Sequence, residues 1–117
     1  MLKAIRGAAT VRSNSAEEIT LATQTMLREI MQANDMGADH IISALFTLTP
    51  DLNAAFPAAA ARGLGWSDVP MMCAQEIPVP GALPQVVRVL LHADVAGPVH
   101  HVYQGGARAL RPDWIKP

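Results

Sequence analysis

With 117 residues the chain has room for one domain, spanning residues 1–117, and not for two. A formal net charge of −1 leaves no electrostatic footprint for nucleic acid, and Arg88 and His92 break the longest apolar run well short of the ~18 residues that a membrane span needs. A lone cysteine excludes an internal disulfide framework, and no apolar stretch of signal-peptide length opens the chain, so the expected location is the cytoplasm. Half of the residues are hydrophobic, which is more apolar surface than so small a body buries alone; a homo-oligomer is therefore expected. The cations are skewed towards arginine, whose rigid fork suits carboxylates.

Leu2-Lys3-Ala4-Ile5-Arg6 alternates like a half-exposed strand, and Gly7 is expected to release it. Arg6 is either a surface residue at the strand end or an inward one that needs an anion, because burying an unpaired charge is costly. Ser15 and Glu18 form a capping box, and Ile19, Ala22, Met26, Ile30 and Ala33 draw an apolar stripe along a helix that closes at Asn34 to Gly37. Residues 39–49 read as a buried strand ended by Pro50. Pro57 starts a short Ala-rich helix that Gly63 or Gly65 stops.

Residues 71–76 form a strand terminated by Pro78-Val79-Pro80-Gly81. Alternation sends Met71, Cys73 and Gln75 one way and Met72, Ala74 and Glu76 the other, with thiol and carboxylate close together at the strand's end. Cys73 is either an inert core residue or part of a site. Residues 85–93 carry the strongest strand signal, and Arg88 is the anomaly within it. Its guanidinium either meets a protein carboxylate, Glu76 being the candidate, or faces a cavity that takes an anionic ligand; the cavity is favoured, since Arg6 and Arg88 outnumber Glu76. A last strand begins at Val99, with Gly105-Gly106 as a bulge or bend and residues 107–111 continuing it. Adjacent His100 and His101 lack metal-site spacing, so no metal is expected. The pattern is an α+β (α/β) fold, a single mixed sheet of about five strands carrying one long and one short helix.

No phosphate-cradling loop, GxSxG or HExxH pattern is present. An ordered series does stand out: Ile5-Arg6-Gly7-Ala8, residues 49–58, Cys73-Ala74-Gln75-Glu76, Arg88-Val89, His101-Val102-Tyr103 and Leu110-Arg111-Pro112-Asp113. Over essentially the whole chain it resembles the monofunctional bacterial chorismate mutases of the trimeric α/β (AroH) type. The resemblance implies a pseudo-barrel homotrimer with active sites between neighbouring subunits. The implied reaction rearranges chorismate to prephenate, on the way to phenylalanine and tyrosine, with no metal or cofactor.

It further implies Arg88 at the ether oxygen and enolpyruvyl carboxylate, and Glu76 with the Cys73 side chain at the ring hydroxyl. Arg6 and Tyr103 would hold the side-chain carboxylate, while Met72 and Ala74 line the pocket. Phe56, Ala58 and Arg62 would come from the neighbouring subunit, with Arg62 and Arg111 drawing in the dianion. Ala59 stands where the family often has lysine, His100 where arginine is common, and little chain follows Asp113 where the family carries a mobile tail. These departures imply weaker substrate capture beside a near-normal chemical step. The alternatives are a non-catalytic carboxylate-binding protein on the same scaffold, which needs the arginines but not Glu76, and a cysteine hydrolase built on Cys73.

Overall fold

The computed structural model describes residues 1–114; the short stretch after Trp114, where the family's tail would begin, lies outside the described residues. Five strands, β1 (Leu2–Thr10), β2 (Ile41–Leu48), β3 (Met71–Gln75), β4 (Val86–Asp94) and β5 (Val102–Gln104), form one sheet in the order β3-β2-β4-β1-β5. β1 and β2 both run antiparallel to β4, while β3 joins β2 and β5 joins β1 in parallel, so the sheet is mixed as expected.

Two helices, α1 (Ala16–Ala33) and α2 (Pro57–Arg62), cover one face of it. Ser15 Oγ accepts the Glu18 N–H at 3.1 Å, and Glu17 and Glu18 oppose the positive end of α1, so its start follows the capping signal. Ile19, Met26 and Ile30 of the anticipated stripe are buried; Thr23 and Leu27 complete the buried face, while Ala33 is exposed. These side chains meet Ile5, Phe46, Val87, Val89, Leu91 and Val102 from the sheet in one core. Fully buried Phe46 contributes roughly 1.5–3 kcal/mol of transfer free energy.

Two expectations are corrected. Gly7 does not release β1, which runs three residues further to Thr10. Gly7 is instead where α1 comes closest: a Cβ there would lie 2.6 Å from Ile30 Cδ1, 3.2 Å from Val89 Cγ1 and 3.3 Å from Met26 Sδ. Likewise residues 107–111 do not continue the last strand. Gly105 turns the chain at φ +59° into a 3₁₀ helix over Gly105–Leu110, and the Thr10 hydroxyl accepts the Gly106 N–H at 3.1 Å where β1 ends. That helix folds over the opposite face, burying Ala107 with Ala8, Val86 and Tyr103.

Candidate active site

The face of the sheet turned away from the helices carries the polar groups that the sequence singled out. Register places Tyr103, Ala8, Arg88, Thr47 and Ala74 in one row across all five strands. Arg6, Leu90, Leu45 and Met72 form the next row. Arg6 is thus the diagonal neighbour of Arg88 across the β1–β4 pair, roughly 7–8 Å away at the backbone and within reach of long side chains.

Glu76 follows β3, its N–H donating to the Leu48 carbonyl at 2.8 Å, and its side chain returns to this face. Arg88 Nε lies 3.0 Å from Glu76 Oε2, an ion-pair distance, although the buried Nε–H does not line up on the oxygen as a hydrogen bond. The Thr47 hydroxyl donates to the same oxygen. The two charged side chains are 30% and 17% exposed, so the pair is sheltered and still accessible from one side.

Local chemistry fixes where Arg88 sits. Thr49 Oγ1 accepts the Val86 N–H at 3.0 Å, and the Asp51 carboxylate accepts the hydroxyl of Thr49 and the Gln85 N–H at 3.0 Å. These bonds hold Gln85 at φ +55°, in the left-handed region, and set the entry of β4 two residues before Arg88. At the far side of the row, Tyr103 is buried under the 3₁₀ helix, and the Arg6 N–H donates to His101 Nδ1 at 3.0 Å.

The thiol of Cys73 does not join this group. It points to the helix side with Met71 and packs against the core, opposite Ala74 and Glu76. Only its backbone faces a usable direction. Ala44 N–H bonds the Pro70 carbonyl and Glu76 N–H bonds Leu48, so the parallel ladder's alternation turns the N–H groups of Met71, Cys73 and Gln75 outward from the sheet edge. Packed among apolar side chains, the thiol makes a poor nucleophile.

Met72 stands exposed on the open face. Phe56, 72% exposed, precedes α2, and Arg62 is exposed in its last turn. Ala58 is 8% exposed and packs with its own protomer's core. All three lie at α2, on the helix side of the sheet, and are not brought to Arg88 within the protomer. Arg111 forms a fork with Asp113, Nε to Oδ1 at 3.1 Å and Nη2 to Oδ2 at 2.8 Å; this bond lowers the Asp113 carboxyl below its usual range and raises the guanidinium. Ala59 is exposed on α2, and the His100 backbone is held by Asn34.

Sequence reasoning missed Thr47 and did not assign His101 a contact. Thr47 is the one polar residue between Ala44 and Leu48, and its outward parity in the strand was a usable signal. Among the described residues, no group of three or more His, Cys, Asp or Glu is placed to hold a metal ion, and no helix is long and apolar enough to cross a membrane.

Two arginines and one carboxylate on an open sheet face match the charges of a small dianionic ether and its transition state. The sequence pattern of the family described as chorismate mutase type I matches residues 2–114. The chain belongs to that family. A chorismate mutase AroH of Thermus thermophilus is 44% identical over 97% of this chain and 96% of its own length. One from Bacillus subtilis is 39% identical over 97% and 92%. The solved chorismate mutase of Clostridium thermocellum superposes with a TM-score of 0.89 at 46% identity, covering 92% of this chain and 98% of that one. The reaction of this chorismate mutase is the intramolecular rearrangement of chorismate to prephenate, a step of phenylalanine and tyrosine biosynthesis. That assignment displaces both the non-catalytic binding protein and the cysteine hydrolase.

Proposed function

We propose that chorismate lies on the open sheet face between Arg6, Arg88, Glu76 and Tyr103 of one subunit. Phe56 and Arg62 of the next subunit, in a homotrimer, would close the site over it. The rearrangement is unimolecular and pericyclic, so it calls for no nucleophile and no proton shuttle. Rate comes from holding the flexible substrate in its compact conformer and from fixed charges that match the transition state better than the ground state.

Negative charge grows on the breaking ether oxygen, where Arg88 supplies preorganised donors. Its nearest protein contact uses Nε, and a fork of five donors keeps others for the substrate. Positive charge grows on the ring, where Glu76 is held in position by Thr47. Arg6 and Tyr103 take the side-chain carboxylate, the backbone N–H of Cys73 replaces its thiol as the polar group at the sheet edge, and Met72 and Ala74 line the pocket. Arg62 and Arg111 draw the dianion in. Among the described residues the open face has no second wall, and exposed Leu45, Met72, Ile77 and Val79 beside it favour a covering subunit. The composition fits a single-domain cytoplasmic enzyme over residues 1–117.

The observation that carries this reading is the sheltered Arg88–Glu76 pair with Arg6 diagonal to it. Its test is the decay of chorismate's ultraviolet absorbance. Arg88→Ala is expected to lower kcat by at least roughly a hundredfold, and Glu76→Gln by a comparable factor. An Arg88→Ala enzyme with unaltered kcat would sink the reading.

A further inference from the structure

One contact beside the site is made by a ring where a regular sheet would use backbone. β5 joins β1 only from the Gly7–Val102 rung onward. Continued one step back, the parallel ladder would offer the His100 carbonyl to the Arg6 N–H. Asn34, at the C-terminus of α1, has taken that backbone: its Oδ1 accepts the His100 N–H at 2.7 Å and its Nδ2 donates to the His100 carbonyl at 2.9 Å. The imidazole of His101 fills the missing rung, with Nδ1 accepting the Arg6 N–H at 3.0 Å.

An amide N–H donates only to a nitrogen with a lone pair. The bond therefore selects the neutral imidazole with its proton on Nε2. Protonation turns Nδ1 into a donor, breaks the rung, and leaves a cation against other cations. Arg6 faces the ring from β1 and Arg111 from the C-terminal segment; His100 adjoins it. Glu29 of α1, Tyr103, Arg108 and Asp113 line the same cleft of about 1090 Å³. Burial first, then the charges of Arg6 and Arg111, lower the pKa of His101, in keeping with a ring held neutral.

We propose that His101 is a positioning residue for chorismate binding: its neutral ring pins β1 at Arg6, and acid releases that pin. The proposal rests on the reading of Arg6 as a substrate anchor. Steady-state kinetics from about pH 5 to about pH 8 on wild type, Arg6→Ala, His101→Ala and His101→Asn test both ideas separately.

Wild-type KM is expected to rise several-fold towards the acid end of that pH range, with kcat changing less. The rise lies on the acid side of the ordinary imidazole value because the folded ring resists protonation. His101→Ala raises KM roughly three- to tenfold at neutral pH, the range for loss of one hydrogen bond, and by less in acid, where the wild-type pin is already released. His101→Asn, whose Oδ1 accepts the same N–H and does not titrate, recovers most of that loss and flattens the acid limb. An acid limb unchanged in His101→Asn overturns the proposal. So does a wild-type KM that falls on acidification, since the imidazolium then acts as an anion anchor. If Arg6→Ala leaves KM unchanged, the site reading itself is wrong; if it raises KM while the His101 variants do not, only the pin is wrong. Nitrogen-15 shifts of the wild-type ring give a check independent of variant folding: a proton on Nδ1 at neutral pH overturns the proposal.

Discussion

Thr47 holds Glu76 Oε2 from β2 while Arg88 approaches the same oxygen from β4. Thr47→Val preserves shape and removes the donor, leaving the carboxylate one hydrogen bond short. A bond to a charged group is worth about 1.5–3 kcal/mol, so kcat is expected to fall roughly tenfold or more while KM moves less. A Thr47→Val enzyme with full kcat would mean that the hydroxyl does not orient Glu76. Thr47 was hard to see beforehand because threonine is an ordinary strand former and its partner lies 29 residues away. Arg88 was easy to see because a guanidinium inside a valine and leucine run has no cheap place to go. His101 also bears on stability. The unfolded chain takes a proton near the ordinary value of 6.5 and the folded ring resists it, so stability rises with pH through the window just below 6.5 and is lost as pH falls there.

At the scale of elements, Gly7 shows how one missing side chain sets a helix–sheet distance. Gly7→Ala places a Cβ 2.6 Å from Ile30 Cδ1 in a fully buried setting and is expected to cost about 1–3 kcal/mol, read as a lower urea midpoint. Ile30→Val removes the clashing methyl. The double variant is therefore expected to cost less than the sum of the two single ones, and simple additivity would refute the close-approach account. The sequence marks Gly7 as a break because glycine ends many strands. Its true function depends on α1, which passes over it from residues 26 and 30. The last strand was overextended for a related reason. Gly105 takes a left-handed turn just where β1 runs out at Thr10, and a strand has no ladder beyond its partner's end.

At the scale of the molecule, among the described residues one sheet face is covered by helices and the other by little more than a 3₁₀ helix, with β3 at the edge of the sheet. Phe56 and Arg62 lie at α2, on the helix side of the sheet, so in the proposed trimer they would reach Arg88 from a neighbouring copy. In a cyclic trimer with such head-to-tail sites, Arg88→Ala and Arg62→Ala damage opposite halves of each site. Unfolding the two variants together and refolding them is expected to restore about a quarter of the wild-type sites, because each half is intact with a chance of about one in two. Activity at low chorismate no higher than the mean of the two parents would show that both residues serve one subunit's own site.

The chain's own order of residues determined the capped helix, the five strands, the proline stop after Glu76 and the arginines out of place, because each follows from local periodicity, backbone chemistry or the cost of burying charge. Tertiary structure decided the rest: which face each side chain joins and which groups meet. Strand register sent the Cys73 thiol into the core while turning Glu76 to Arg88, and put a histidine ring where a backbone rung was missing. Those outcomes depend on contacts between residues tens of positions apart, set by how helices and strands pack together and carried by no single stretch of sequence.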